Sequence, residues 1–266
     1  MGRFFITGSS DGLGARTANK LISQGHGVVL HARNAQRAED ARKACPGADT
    51  VLIADLSSIE ETKQLAKEAS ELGPYEAVIH NAGVYTGMET VPGKSGLPTL
   101  FTVNTLAPYI LTALMGPDAQ KRLVFVSSGL HVGGQPRLSG GAEDIKTSGY
   151  GDSKLHNVIL AKAFARVWGE SKGTRAYSVH PGWVPTKMGG ANATGDMDLA
   201  VDTFVWVATG GQTDDGKGEK EEERWTPGGY FTALKEEEPS NIASDPAVQD
   251  GLLAVLETIS GAKVSA

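Results

Sequence analysis

Two short stretches carry the side chains best able to do chemistry. YGDSK, residues 150–154, puts Tyr150 at the mouth of a helical stretch with Lys154 four residues on. Positions i and i+4 of a helix share a face, with Cβ atoms about 5–6 Å apart. An ammonium would therefore stand beside a phenol. A phenol with a pKa of about 10 is a poor proton carrier at neutral pH, and a cation that close lowers an acid by about 1–3 units. The spacing predicts a Tyr150 tuned by Lys154 for proton transfer.

The second stretch is TGSSDGLG, residues 7–14, with glycines at 8, 12 and 14 between an apolar strand and a helix. Such a turn needs one glycine to bend, one to let backbone approach a pyrophosphate, and one for helix–strand packing. The helix that follows offers free N–H groups and a positive dipole end to phosphates. Gly8 to Gly12, around Ser10, also fits the G-x-S-x-G elbow of a hydrolase, which needs an oxyanion-hole N–H from an earlier loop. Only nine residues precede Ser10, so position favours the dinucleotide turn.

The elements that must hold these stretches alternate. Apolar strands are predicted near Arg3–Thr7, Gly27–His31, Thr50–Ala54, Ala77–His80, Arg122–Ser127, Arg175–His180 and Gly229–Thr232. Helices are predicted near Gly12–Gln24, Ala35–Ala44, Ser57–Glu71, Gly96–Leu114, Tyr150–Trp168, Met197–Ala208 and Ala247–Ser260. Strand–helix alternation implies an α/β fold: one Rossmann-type, doubly wound parallel sheet of about seven strands with helices on both faces. Residues 129–149 are too long for an ordinary loop, and 210–224 are charged and glycine-rich, as in a mobile surface insertion.

Composition narrows the function classes. The 266 residues, 40% hydrophobic and 21% charged, suffice for a substantial core in a single domain, 1–266. A formal charge of −6 offers no basic footprint for nucleic acid. Cys45, the one cysteine, permits no internal disulfide, and no metal-ligand spacing is present. The opening MGRFFITG has no leader character, and no apolar run reaches the ~18 residues of a membrane span. A cytoplasmic protein is expected.

Three further stretches end strands: IHNAG at 79–83, VFVSSG at 124–129 and VHPGWVPT at 179–186. With TGSSDGLG and YGDSK, in this order, the chain resembles the short-chain dehydrogenase/reductase family over nearly its whole length. SSGLH, YGDSKLHN and the late GGYFTALKEEEPS look most like the branch of retinol dehydrogenases and protochlorophyllide reductase.

The resemblance implies that Tyr150 moves the substrate proton, Ser128 bonds the same oxygen, and Lys154 lowers the phenol pKa and holds the nicotinamide ribose. Asn104 would complete the set. Pro108 lacks an N–H, so it would free the carbonyl of residue 104 to hold a water beside the lysine. Cofactor contacts are expected from Gly8, Ser10, Gly12, Leu13, Gly14, Arg33, Asp55, Leu56, Asn81, Ala82, Gly83, Pro181, Gly182 and Thr186, besides Tyr150 and Lys154. Ala32 stands where NAD-binding relatives carry an acid, and Arg33 follows it. That pattern suits a 2′-phosphate, so NADP(H) is preferred, with NAD(H) as the alternative.

His80 is expected to pack under the adenosine. All six histidines are read as structural, with His131 as a candidate pocket residue, and no metal site is expected. Leu130, Leu138, Trp183, Val184, Met188, Phe204 and Trp225, from 129–149 and 184–228, would line an apolar pocket for a carbonyl or alcohol substrate. Competing readings are reduction of an activated C=C bond and a non-catalytic dinucleotide-binding regulator. A homo-oligomer through the helix after Tyr150 is compatible with the sequence.

Overall fold

The computed structural model describes residues 1–211 and 221–265. The chain runs β1 (Arg3–Ile6), α1 (Gly12–Ser23), β2 (Gly27–Ala32), α2 (Ala35–Ala44), β3 (Thr50–Ile53), α3 (Ile59–Leu72) and β4 (Ala77–His80). It continues through α4 (Thr99–Phe101), a π-helical turn (Thr102–Leu106), α5 (Ala107–Met115) and β5 (Arg122–Val126). Then come α6 (Gly141–Ile145), α7 (Tyr150–Lys172), β6 (Arg175–His180), α8 (Met197–Thr209), β7 (Tyr230–Thr232), β8 (Lys235–Glu237) and α9 (Pro246–Ser260).

The strands form one sheet in the order β3-β2-β1-β4-β5-β6-β7-β8, parallel except for the antiparallel β7–β8 pair. Among the described residues, eight strands stand where about seven were expected. β8 was hidden because the chain reverses through Ala233 and Leu234 at φ 48° and 59°, a left-handed turn with none of the usual glycine or asparagine.

Alternating strand residues feed two cores. Phe5, Val78, Leu123 and Phe125 meet Phe101, Tyr109, Phe164 and Trp168 on one face. Phe4, Ile6, Ile79 and Val124 meet Leu21, Phe204 and Phe231 on the other. Side-chain caps start the helices where the sequence allows them: Asn34 accepts from Arg37 N at 2.9 Å and Ser58 from Glu61 N at 3.2 Å. α1 differs, because its N-cap Asp11 makes no side-chain cap bond. Strand order reverses at β1, so the crevice between the carboxyl ends of β1 and β4 is where this topology takes a ligand.

The expected helix at Gly96–Leu114 begins later, at Thr99, and is interrupted by the π turn, where Ala107 N bonds Thr102 O. Such turns favour functional positions, and Asn104 sits inside this one, with Pro108 just beyond. Segment 129–149 is held in place: Asp152 accepts from Gln135 N at 2.7 Å and Gly149 N at 3.0 Å, and His156 Nε2 meets Pro136 O at 2.9 Å. Residues 212–220, most of the charged stretch expected to be a mobile insertion, lie outside the described residues.

Candidate active site

A cleft of about 1150 Å³ opens at the carboxyl ends of the central strands. Tyr150 and Lys154 enter it from the first turn of α7, and Ser128 from the end of β5. The α7 start is fixed from below. Ser127 Oγ donates to Lys154 O at 2.8 Å, and Val126 O accepts from Asn157 Nδ2 at 3.1 Å and from Lys154 Nζ at 2.9 Å. Lys154 Nζ lies 5.4 Å from the Tyr150 ring centroid. The Tyr150 hydroxyl points at Met188 Sδ, 3.9 Å away, and Tyr85 stands edge-on to its ring at 4.6 Å between centroids.

Burial dominates both titrations. It pushes the Tyr150 phenol up to about 12, with Ser128 pulling the other way and Tyr85 adding to the rise. It pulls the Lys154 ammonium down to about 8. The sequence pattern predicted a phenol lowered by Lys154. That lowering is absent here, and the desolvation of both groups wins.

The other end of the cleft fits a dinucleotide. Gly8 turns at φ +63° with Ala82 Cα only 2.9 Å from where a Cβ would sit. A Cβ on Gly14 would meet Gly8 O and Asn81 Nδ2, each at 2.6 Å, so α1 can pack this tightly only with glycine there. Gly12, Leu13 and Gly14 line the cleft at the uncapped start of α1, which leaves first-turn N–H groups for an anion. Ser10, Arg33, Asp55, Leu56, Asn81, Ala82, Gly83, Pro181, Gly182 and Thr186 line the same cleft.

The family model for short chain dehydrogenases matches residues 3–196. The chain belongs to the short-chain dehydrogenase family. An uncharacterized oxidoreductase of Emericella nidulans is 45% identical over 99% of both chains. Short-chain dehydrogenase chyC of Penicillium rubens is 39% identical over 100% of both. The crystal structure of an uncharacterized protein from Mycobacterium paratuberculosis aligns with a TM-score of 0.74 at 25% identity, covering 100% of this chain and 96% of that one. The branch resemblance also appears at lower identity. Retinol dehydrogenase 14 of Mus musculus is 30% identical over 69% of this chain and 61% of its own length. Protochlorophyllide reductase B of Hordeum vulgare is 28% identical over 70% and 57%.

Within this short-chain dehydrogenase, several expected residues fall elsewhere. Asn104 is fully buried behind the lining, yet its Oδ1 and Lys154 Nζ flank one point, 3.4 and 3.6 Å from where a Cβ on Gly83 would sit. Its amide braces the chain after β4, accepting from Val84 N at 2.8 Å and donating to Val84 O at 2.9 Å and Ser153 Oγ at 3.1 Å. His80 is outside the cleft lining; it bonds Thr112 Oγ1 at 3.0 Å and stacks on Phe125. His131 is held by Ser128 O and Ser240 N and packs on Tyr230, outside the cleft lining. Leu138, Phe204 and Trp225 are core, whereas Leu130, Trp183, Val184 and Met188 do line the cleft.

Sequence reasoning missed Arg37, His31 and His180, all in the lining. Arg37 Nη2 reaches Ser10 Oγ at 2.9 Å and Asp11 Oδ2 at 2.7 Å, and Nη1 reaches Asp40 at 2.8 Å. Asp11 also takes Lys187 Nζ at 2.7 Å; although burial opposes it, the two cations hold this carboxyl below the usual range. The signal for Arg37 was its place in the first turn of α2, from which it reaches the glycine turn after β1.

Proposed function

We propose that the chain is an NADP(H)-preferring carbonyl reductase or alcohol dehydrogenase. The observation that carries the reading is that Ser128, Tyr150 and Lys154 share one cleft with the glycine turn and the start of α1. When bound, the nicotinamide dinucleotide supplies or accepts the hydride. Tyr150 moves the proton at the substrate oxygen, and Ser128 donates a hydrogen bond to that oxygen. Lys154, buried and cationic below about pH 8, would hold the ribose side. Glycine-turn and α1 N–H groups would carry the pyrophosphate, and Asp55, in the same lining, would bond the adenine edge.

Arg37 and Arg33 give the adenosine end two guanidinium groups, the planar fork best suited to phosphate. That supports NADP(H) over NAD(H). On the substrate side, Tyr85, Leu130, Trp183 and Met188 are exposed in the cleft, which supports a bulky, apolar carbonyl compound. Along α7, Trp168 Nε1 donates to Ser265 O at 2.7 Å and Arg166 Nε to Gln249 Oε1 at 2.9 Å, so the α9 end of the chain covers this helix. That coverage supports a monomer over an oligomer built through α7, with the chain acting as one catalytic unit.

Screening aldehydes, ketones and enones with NADPH tests the reading. Turnover of ketones and aldehydes is expected. Reduction confined to enone C=C bonds would replace it with the alternative chemistry, and binding without any turnover would make the protein a regulator.

A further inference from the structure

We infer that His31 is a positioning residue for the dinucleotide, acting by accepting the N–H of Gly8 and so fixing the glycine turn from below. The inference rests on the reading that this cleft holds a nicotinamide dinucleotide.

Both backbone polar groups of Gly8 are claimed by side chains from neighbouring strand ends. Gly8 N donates to His31 Nδ1 at 3.0 Å, and Gly8 O accepts from Asn81 Nδ2 at 3.0 Å. Two more bonds stitch the same two stretches together: Ser9 N donates to His31 O at 3.1 Å, and His31 N donates to Ser9 Oγ at 2.9 Å. The far ring nitrogen, Nε2, lies 2.9 Å from Ala54 O. A carbonyl can only accept, so Nε2 carries the proton and Nδ1 is the bare acceptor that Gly8 requires. Burial pulls the imidazole down to about 4, against the Ala54 bond and Asp55, so this tautomer persists at neutral pH.

The arrangement matters for binding because of where the N–H groups point. A Gly8 N–H turned down onto His31 sets the left-handed bend at φ +63°. Gly12, Leu13 and Gly14, in the first turn of α1, follow that bend and line the cleft. Without an acceptor below, a buried N–H is left unsatisfied, and a turn that rotates to recover water no longer presents its donors to the pyrophosphate.

The two ring nitrogens can be separated by substitution. Asn places its amide near the Nδ1 position and Gln near the Nε2 position. His31→Asn keeps the Gly8 acceptor and loses the Ala54 bond; His31→Gln does the reverse. Each variant loses one buried hydrogen bond, so a purely structural role predicts similar falls in Tm and equal effects on cofactor affinity.

The inference predicts similar Tm values but unequal NADPH affinities by equilibrium titration. His31→Gln should bind NADPH roughly tenfold or more weakly, while His31→Asn stays close to wild type. Exchange of the Gly8 amide in the free protein should be faster in His31→Gln than in His31→Asn. Equal affinities of the two variants, or tight binding by His31→Gln, would overturn the inference alone. A wild-type protein that binds neither NADPH nor NADH would overturn the oxidoreductase reading and this inference with it.

Discussion

The two ends of the cleft are built in opposite ways. At the dinucleotide end, polar side chains are spent on backbone: His31 and Asn81 on Gly8, Asn81 again on Thr7 O at 2.9 Å, and Thr7 Oγ1 on Ala82 N at 3.0 Å. At the substrate end, Leu130 is 55% exposed, Trp183 56%, Tyr85 43% and Met188 40%. One end is a pre-formed cradle whose shape is fixed by buried hydrogen bonds. The other is an apolar mouth that gains by covering itself, since full burial of a large apolar side chain is worth about 1.5–3 kcal/mol. The contrast separates affinity for the cofactor, set by geometry, from affinity for the substrate, set by area.

Substitutions at the two ends should therefore fail differently. The largest effect belongs to the junction. Tyr150→Phe removes the proton carrier and should cut kcat by about 10²–10⁴-fold, while NADPH affinity measured by titration stays near wild type. Residual turnover close to wild type would take the proton transfer away from Tyr150. At the dinucleotide end, a charge-assisted bond contributes about 1.5–3 kcal/mol. Arg37→Ala should accordingly weaken NADPH by roughly ten- to a hundredfold and leave NADH nearly unchanged, and Arg33→Ala should do less because its side chain is exposed. Equal losses for both cofactors would remove the 2′-phosphate assignment.

At the mouth, Trp183→Ala should raise KM for a bulky aromatic ketone by about tenfold while sparing small aldehydes and NADPH affinity. A loss of cofactor affinity instead would show that the two ends are not separable. The smallest effect is a slope. Lys154 gives up its proton at about 8 in the folded protein, below its ordinary 10.5. Between these values the unfolded chain binds the extra proton, so the lysine's contribution to stability rises with pH across that window. Subtracting the stability curve of Lys154→Met from that of the wild type should expose a positive slope from about pH 8 to 10.5. A flat difference would mean that Lys154 is not buried as described.

The same contrast explains what could be read from the sequence. Glycine spacing, the residues ending each strand and the four-residue step from Tyr150 to Lys154 are local, and the fold places them as their order implies. The helix boundaries moved where local rules were broken by the π turn at Thr102–Leu106. The mouth was legible only in part, because apolar residues carry no address. Leu130 and Trp183 reach the cleft, yet Phe204 and Trp225, from the same segments and equally apolar, pack into the core. Arg37 and His31 were missed for a related reason: each acts through a partner distant in sequence, Ser10 and Gly8, which only the parallel pairing of β1 with β2 brings near. Asn104 was given by resemblance, for its backbone carbonyl; its amide, to which sequence reasoning assigned no task, braces Val84 and Ser153.

The most direct test of the central claim follows the hydride itself. Wild-type protein, an aromatic ketone and NADPH deuterated at the transferable nicotinamide C4 position are combined, and the product is examined by mass spectrometry and NMR. The account predicts an alcohol carrying one deuterium on the former carbonyl carbon, formed one for one with oxidised cofactor. An unlabelled alcohol, or cofactor left unconsumed across the whole carbonyl panel, would contradict it.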